Sequence, residues 1–312
     1  MAFRLGHRCV RSCSPRRSVE LLRPASLAEA IGRRLAYTLF HPPRRQHHRS
    51  PEDLGLMATE HTTTAPDGVE LHLWCIPGAG VGTVIVGHGI GLTKSASLRH
   101  AALLHELGYN VLLFDHRNHG LSAVDRSREQ LAERYSSDIT ASLAVASATW
   151  PGSRLIVWGF SFSTFPTLHS LRHETTEIDA VICDSGPGLD LDEMLRSFIA
   201  GGNVPAPRPV RRLLKRRAVV DAFASSAVRM LGTEWPPDPQ ASASGSIPML
   251  FLSGSADEIV RPEQVSALAS RYPQATFVQL PGGHLQGIKA ASLEYRDAVT
   301  AFLGTLSPAA TT

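Results

Sequence analysis

The sequence predicts an α/β domain: a mostly parallel sheet with helices on both faces and an inserted helical cap. Two observations carry this. Short apolar runs of strand length alternate with stretches of helical spacing from Thr83 to Leu303. The alternation breaks once, over residues 186–246, where Pro and Gly cluster and no strand pattern occurs. Strands separated by helices imply parallel pairing with both faces covered. That places the strand C-terminal ends along one edge, where ligands bind in open α/β sheets.

Each element has a local reason. Residues 26–40 fit a short amphipathic helix, with Ser26 as N-cap, Glu29 at the capping-box position and a stripe of Leu27, Ile31, Leu35 and Leu39. A Pro/Arg/His linker from His41 to Pro51 follows, and the ordered domain is expected to begin near Met57. Residues 59–64 and 69–76 alternate around Pro66-Asp67-Gly68 and read as a β-hairpin. Thr83 to Gly87 is a short strand ending in His88-Gly89-Ile90-Gly91. Ser97 to Leu107 has helical spacing and stops at Gly108. Asn110 to Phe114 is the next strand. Glu129 to Thr149 reads as a long helix stopped by Trp150-Pro151-Gly152, and Leu155 to Trp158 as a buried strand followed by a helix to about His173. Ile178 to Cys183 is another strand. After the break come a strand Met249 to Ser253, a helix Pro262 to Tyr272, a strand Thr276 to Leu280 and a final helix from about Gln286 to Leu303. This divides the chain into an Arg-rich extension and linker (1–56), one domain (57–305) carrying the 186–246 insertion, and a tail (306–312).

Charge is unevenly spread. Residues 1–49 hold eleven Arg against Glu20 and Glu29, a net +9 with His neutral, which leaves −6 on the rest of a chain of net +3. Residues 1–24 lack the apolar core of a secretory signal, and no apolar run approaches the ~20 residues needed to span a bilayer. A cytoplasmic location is expected, with peripheral contact to an anionic surface through the Arg-rich start or the cap as the second reading. Cys75 and Cys183 sit in strand-like runs as inert core residues. Cys9 and Cys13 lie in the Arg/Ser-rich start, and no spacing suggests zinc or a disulfide framework. There is no nucleic-acid motif.

Three loops after strands carry complementary chemistry. Gly159-Phe160-Ser161-Phe162-Ser163 is one residue off G-x-S-x-G, the strand-to-helix turn that exposes a serine hydroxyl. Serine is a weak nucleophile without a base in hydrogen-bond reach, and His284 in Pro281-Gly282-Gly283-His284 can serve. An imidazole that must hold one tautomer and become cationic needs a carboxylate, and Asp257 in the loop after Met249–Ser253 can supply it, with Asp184 as its rival. Backbone N–H groups of Ile90 and Phe162 are the candidate oxyanion donors. His88 reads as structural. Asp115, His116 and His119 are a weak metal-ligand set, and no cofactor or metal is implied.

With these motifs in order, the chain resembles the α/β-hydrolase superfamily over about residues 59–305, especially its serine-aminopeptidase-like and acylglycerol-lipase-like members. Gly87-His88-Gly89 resembles the family's H-G oxyanion loop. Phe114 to Ser122 is similar to its D-x-R-G-x-G-x-S loop, with Asn118 and His119 in place of Gly and an aromatic. Asn tolerates left-handed backbone angles, so the first departure is mild. Pro51-Glu52-Asp53-Leu54-Gly55 is similar to the entry segment of such chains. The resemblance implies a serine hydrolase for a small-molecule ester or thioester, with Ser161, His284 and Asp257 as its triad. Two other readings stand beside it. One is an amidase or aminopeptidase, for which Asp190, Asp192 and Glu193 could hold a substrate amine. The other is a non-catalytic binding module whose Arg208, Arg211, Arg212, Lys215, Arg216 and Arg217 hold an anionic partner. The plainer reading of that cluster is a solvated helix face.

Overall fold

The structure, a computed structural model, describes residues 26–172, 178–202, 212–239 and 245–306. Eight strands among them form one sheet: β1 (Thr59–Thr64), β2 (Glu70–Ile76), β3 (Thr83–Gly87), β4 (Asn110–Phe114), β5 (Leu155–Phe160), β6 (Ala180–Asp184), β7 (Met249–Gly254) and β8 (Ala275–Leu280). Their order is β1-β2-β4-β3-β5-β6-β7-β8. β1 and β2 form an antiparallel hairpin about Pro66-Asp67-Gly68, β2 also runs antiparallel to β4, and every pair beyond is parallel. The architecture is the α/β-hydrolase fold.

Period-two alternation in the central strands feeds two cores. Leu155 and Val157 face one side, against Ile139 and Leu143 of α3 (Leu131–Thr149) and Leu168 of α4 (Thr164–Ser170). Ile156, Trp158 and Phe160 face the other, with α2 (Leu98–Glu106). This is the continuous apolar pattern of a doubly covered parallel strand.

The interrupted stretch, whose segments Leu191–Ala200 and Ala218–Leu231 have amphipathic spacing, contributes α5 (Leu191–Ala200) and α6 (Arg217–Leu231). α7 (Pro262–Ala269) follows β7. The terminal helix is broken into α8 (Gly287–Ala290) and α9 (Ser292–Thr305), where a single helix was expected. Within the basic cluster Arg208 and Arg211 lie outside the described residues, while Arg212, Lys215, Arg216 and Arg217 are exposed. Among the described residues no helix is long and apolar enough to cross a membrane.

The N-terminal region differs most from expectation. Ser26 and Glu29 form the capping box of α1 (Leu27–Phe40), but the stripe is rotated. Gly32, Ala36 and Phe40 are buried, and Leu27 is 76% exposed. Small residues at Gly32 and Ala36 let α6 approach closely, a signal that a search for large apolar residues passes over. α1 thus joins α5, α6 and the start of α3 in a third core. The segment after it, read as a linker, is strapped down as well. Arg44 Nε donates to the Gly120 carbonyl at 3.0 Å, and His47 Nε2–H donates to Asp115 Oδ2 at 2.8 Å. Asp115 is buried. Burial alone would raise its pKa, yet the hydrogen bond from His47 and the charge of Lys94, whose ammonium is 2.7 Å away, hold it well below the usual carboxylate range. Order therefore begins well before Met57.

Candidate active site

β5 delivers Ser161 to the sheet edge. The residue has φ +48°, a conformation non-glycine residues adopt at a cost of order 1–3 kcal/mol, and one the surrounding packing must enforce. The packing is tight enough to do so. A Cβ on Gly159 would lie 2.8 Å from the Ser163 carbonyl carbon, and one on Gly87 would lie 1.9 Å from Ser163 Oγ. Ser163, where the pattern has glycine, therefore fits only because Gly87 has no side chain. Its hydroxyl is buried and bonded to His116 Nε2 at 2.9 Å, and His116 Nδ1 lies 3.3 Å from Asp138 Oδ2. The sequence reading passed over this second Ser–His–Asp set, because Asp138 lies within α3 rather than in a loop after a strand.

The loops after β7 and β8 meet the elbow. Ser161 Oγ and His284 Nε2 are 2.7 Å apart, and His284 Nδ1 and Asp257 Oδ2 are 2.8 Å apart. The geometry fits a neutral imidazole whose Nδ1–H donates to Asp257 and whose Nε2 accepts from the serine hydroxyl. Asp257 is 3% exposed, and its other oxygen accepts N–H bonds from Ile259 and Val260, both at 2.9 Å, so its orientation is fixed. All three side chains singled out in the sequence therefore come together.

Asp184, the rival acid, does not touch His284. It accepts from Ser185 Oγ at 2.8 Å and from the Tyr295 hydroxyl, while Ser185 Oγ accepts from the N–H of Leu285 at 3.0 Å. Asp184 thus anchors the loop that carries His284. Burial pushes its carboxyl up to about 6.

The loop after β3 is pinned by histidines. His88 Nδ1–H donates to its neighbour's carbonyl at 2.8 Å, and its Nε2 accepts from the N–H of His116 at 3.1 Å, a structural role as read. His119 Nε2 accepts from the N–H of Gly91 at 3.0 Å, which ties the Ile90 turn in place. Burial pushes His119 down to about 4, so it is the neutral acceptor this bond requires. Asn118 has φ +65° and uses its side chain on the Phe40 carbonyl, at 3.2 Å. Arg117, fully buried, binds Asp67, Asp125 and Asp138 and fixes the rest of that loop. Asp115, His116 and His119 thus serve separate hydrogen bonds, and no group of three or more potential ligands capable of holding a metal occurs among the described residues.

Ser161, Phe162 and Ile90 open on a cavity of about 70 Å³ whose other lining side chains include Leu39, Phe40, Leu191 and Phe198. Apart from Ser161 the lining is apolar. Leu39 and Phe40 come from α1, which the sequence reading placed ahead of the domain and not at the site.

Comparison with known proteins bears on the fold and the kind of enzyme. A family model described as serine aminopeptidase, S33 matches residues 79–225, and one described as serine hydrolase (FSH1) matches residues 209–288. The uncharacterized protein YfhR of Salmonella typhimurium is 26% identical over 277 residues, covering 85% of this chain and 87% of its own. The Pyrococcus furiosus esterase Pf2001 superposes with a TM-score of 0.69 at 25% identity, over 85% of this chain and 97% of that one. An esterase from Exiguobacterium antarcticum shares the fold at TM-score 0.59 and 16% identity, over 79% of this chain and 100% of that one. The eight-stranded fold with a serine at its elbow, two serine-hydrolase family models matching residues 79–225 and 209–288, and esterases among the structural neighbours together support a serine hydrolase of the α/β-hydrolase superfamily.

Proposed function

We propose that the protein hydrolyses carboxylic esters through an acyl-enzyme on Ser161. The observation that carries this reading is the continuous Ser161–His284–Asp257 relay, 2.7 and 2.8 Å per link, at the mouth of an apolar cavity. As Ser161 Oγ attacks the ester carbonyl carbon, its proton passes to His284 Nε2, and Asp257 stabilises the imidazolium. The carbonyl oxygen becomes an oxyanion, for which the N–H groups of Phe162 and Ile90 are the donors. Collapse breaks the bond to the alkoxide, which leaves with the proton from His284. Water then attacks the acyl-enzyme, giving its proton to His284, and the second collapse returns that proton to Ser161 and frees the acid.

The ester reading is favoured over an aminopeptidase because a substrate ammonium needs an available anion. Asp190 caps α5 by accepting the Glu193 N–H, Asp192 pairs with Arg196, and Glu193 with Arg261. Thioesters fit the same apolar cavity and attacking geometry, and turnover of short acyl thioesters against matched oxygen esters separates the two.

The test is fluorophosphonate labelling read by intact mass. One adduct on wild type and none on Ser161→Ala is expected, with kcat for an activated ester lowered on the order of 10⁴–10⁶-fold in the variant. A folded wild-type protein that takes no adduct would sink the proposal.

A further inference from the structure

We propose that helix α1 is the acyl-length gauge of this site: Leu39 and Phe40 close the cavity beside Ser161, so the substrate is an ester of a short apolar acid. This rests on the esterase reading above. Three observations support it. The cavity, at about 70 Å³, is far smaller than the ~300–1,000 Å³ typical of sites for drug-sized ligands. Two of its lining side chains belong to α1, which precedes the first strand and forms part of the same core as α5 and α6. The position of this wall is fixed rather than adaptable. The Phe40 carbonyl accepts from Tyr135 OH at 2.6 Å and from Asn118 Nδ2 at 3.2 Å, and the Phe40 ring lies 6.2 Å from that of Phe162, the residue after the nucleophile.

Asn118 is the position where the related loops have glycine. The side chain that replaces glycine is the one that clamps α1, which ties this departure to the wall. Leu39 and Phe40 carry no side-chain group that could donate or accept a proton. Their effect is on which acyl group fits, and it is read as a ratio of kcat/KM values between chain lengths rather than as a rate.

The test is a series of p-nitrophenyl esters from acetate to decanoate, with wild type, Leu39→Ala and Leu39→Trp. Leu39 is only partly buried, so both variants are expected to fold, checked by circular dichroism and thermal melting. Wild type should peak at the short acids. Leu39→Ala should raise the octanoate-to-butyrate ratio about tenfold, and Leu39→Trp should lower butyrate relative to acetate by a similar factor, the discrimination of about 10–200-fold that one methylene supplies in an apolar pocket. If either variant melts early, Phe40→Leu repeats the widening test. A wild-type optimum at decanoate, ratios unchanged across the variants, or a shift that appears only when the alcohol rather than the acid is lengthened would each overturn the gauge. A wild type that hydrolyses no member of the series and takes no fluorophosphonate removes the esterase reading, and the gauge with it.

Discussion

Two Ser–His–Asp sets lie two residues apart at their serines. Ser161, His284 and Asp257 are joined at 2.7 and 2.8 Å, and Ser163, His116 and Asp138 at 2.9 and 3.3 Å. Residue types and order of contact are the same. The surroundings differ. Ser161 opens on a cavity and sits at φ +48°, while Ser163 is 0% exposed in the first turn beyond the elbow. Asp257 spends its second oxygen on two backbone N–H groups. Asp138 accepts from the Arg117 N–H at 3.0 Å and from Arg117 Nε at 2.9 Å, so a full positive charge already balances it. A relay does chemistry only when a substrate can reach its oxygen and its acid is reserved for the imidazole. The buried set meets neither condition and works as a strut.

The pair can be pulled apart by matched variants. Asp257→Asn should present an amide to His284 Nδ1, favour the wrong tautomer and lower kcat about 10⁴-fold with little change in melting, as a steady-state assay with denaturation curves will show. Asp138→Asn should do the reverse. It leaves the buried Arg117 short of one carboxylate, should cost roughly 3–5 kcal/mol in urea melts, and should leave fluorophosphonate labelling of the surviving fold intact. Equal effects on rate and stability in both variants would erase the distinction. Ser163→Ala should cost less, about 1–3 kcal/mol, by leaving His116 Nε2 without its partner, and the protein should still be labelled at Ser161. Loss of labelling with unchanged stability would make the strut part of the chemistry.

A pH-dependent effect concerns the third acid, Asp184. Its folded-state pKa, about 6, lies above the ordinary 3.8, so the folded chain holds the extra proton between those values. Its contribution to stability therefore falls as pH rises from about 4 to about 6, with a slope of at most ~1.4 kcal/mol per pH unit, and is constant outside that window. Asp184→Asn should remove that slope from the pH dependence of unfolding. A slope unaltered in the variant would assign the window to another group.

Much of this was legible in the sequence. The strand runs, the elbow and the loops bearing Asp257 and His284 are local signals, because a buried parallel strand and the turn after it are written in adjacent residues. The cap helices were visible as amphipathic segments. What was not legible depends on partners far along the chain. α1 hid its buried face because Gly32 and Ala36 contribute closeness rather than hydrophobicity. The His41–Pro51 stretch looked like a linker because the groups that hold Arg44 and His47 are Gly120, Ser122 and Asp115. Asn118, His119 and Ser163 were legible only as departures from a motif, the first of them mild. Each turned out to hold a specific neighbour: the Phe40 carbonyl, the Gly91 N–H and His116.

The strapped N-terminal segment also sets an order of events during synthesis. Phe40 leaves the ribosome long before the residues that receive it, Asn118 and Tyr135, and longer still before Leu231, which shares its core. At ~5–20 residues per second, the interval from Phe40 to Leu231 is on the order of ten to forty seconds, during which the apolar face of α1 has no dock. His284 emerges later again. α1 therefore emerges well before Ser161, and Ser161 can meet His284 only once the loop after β8 has left the ribosome.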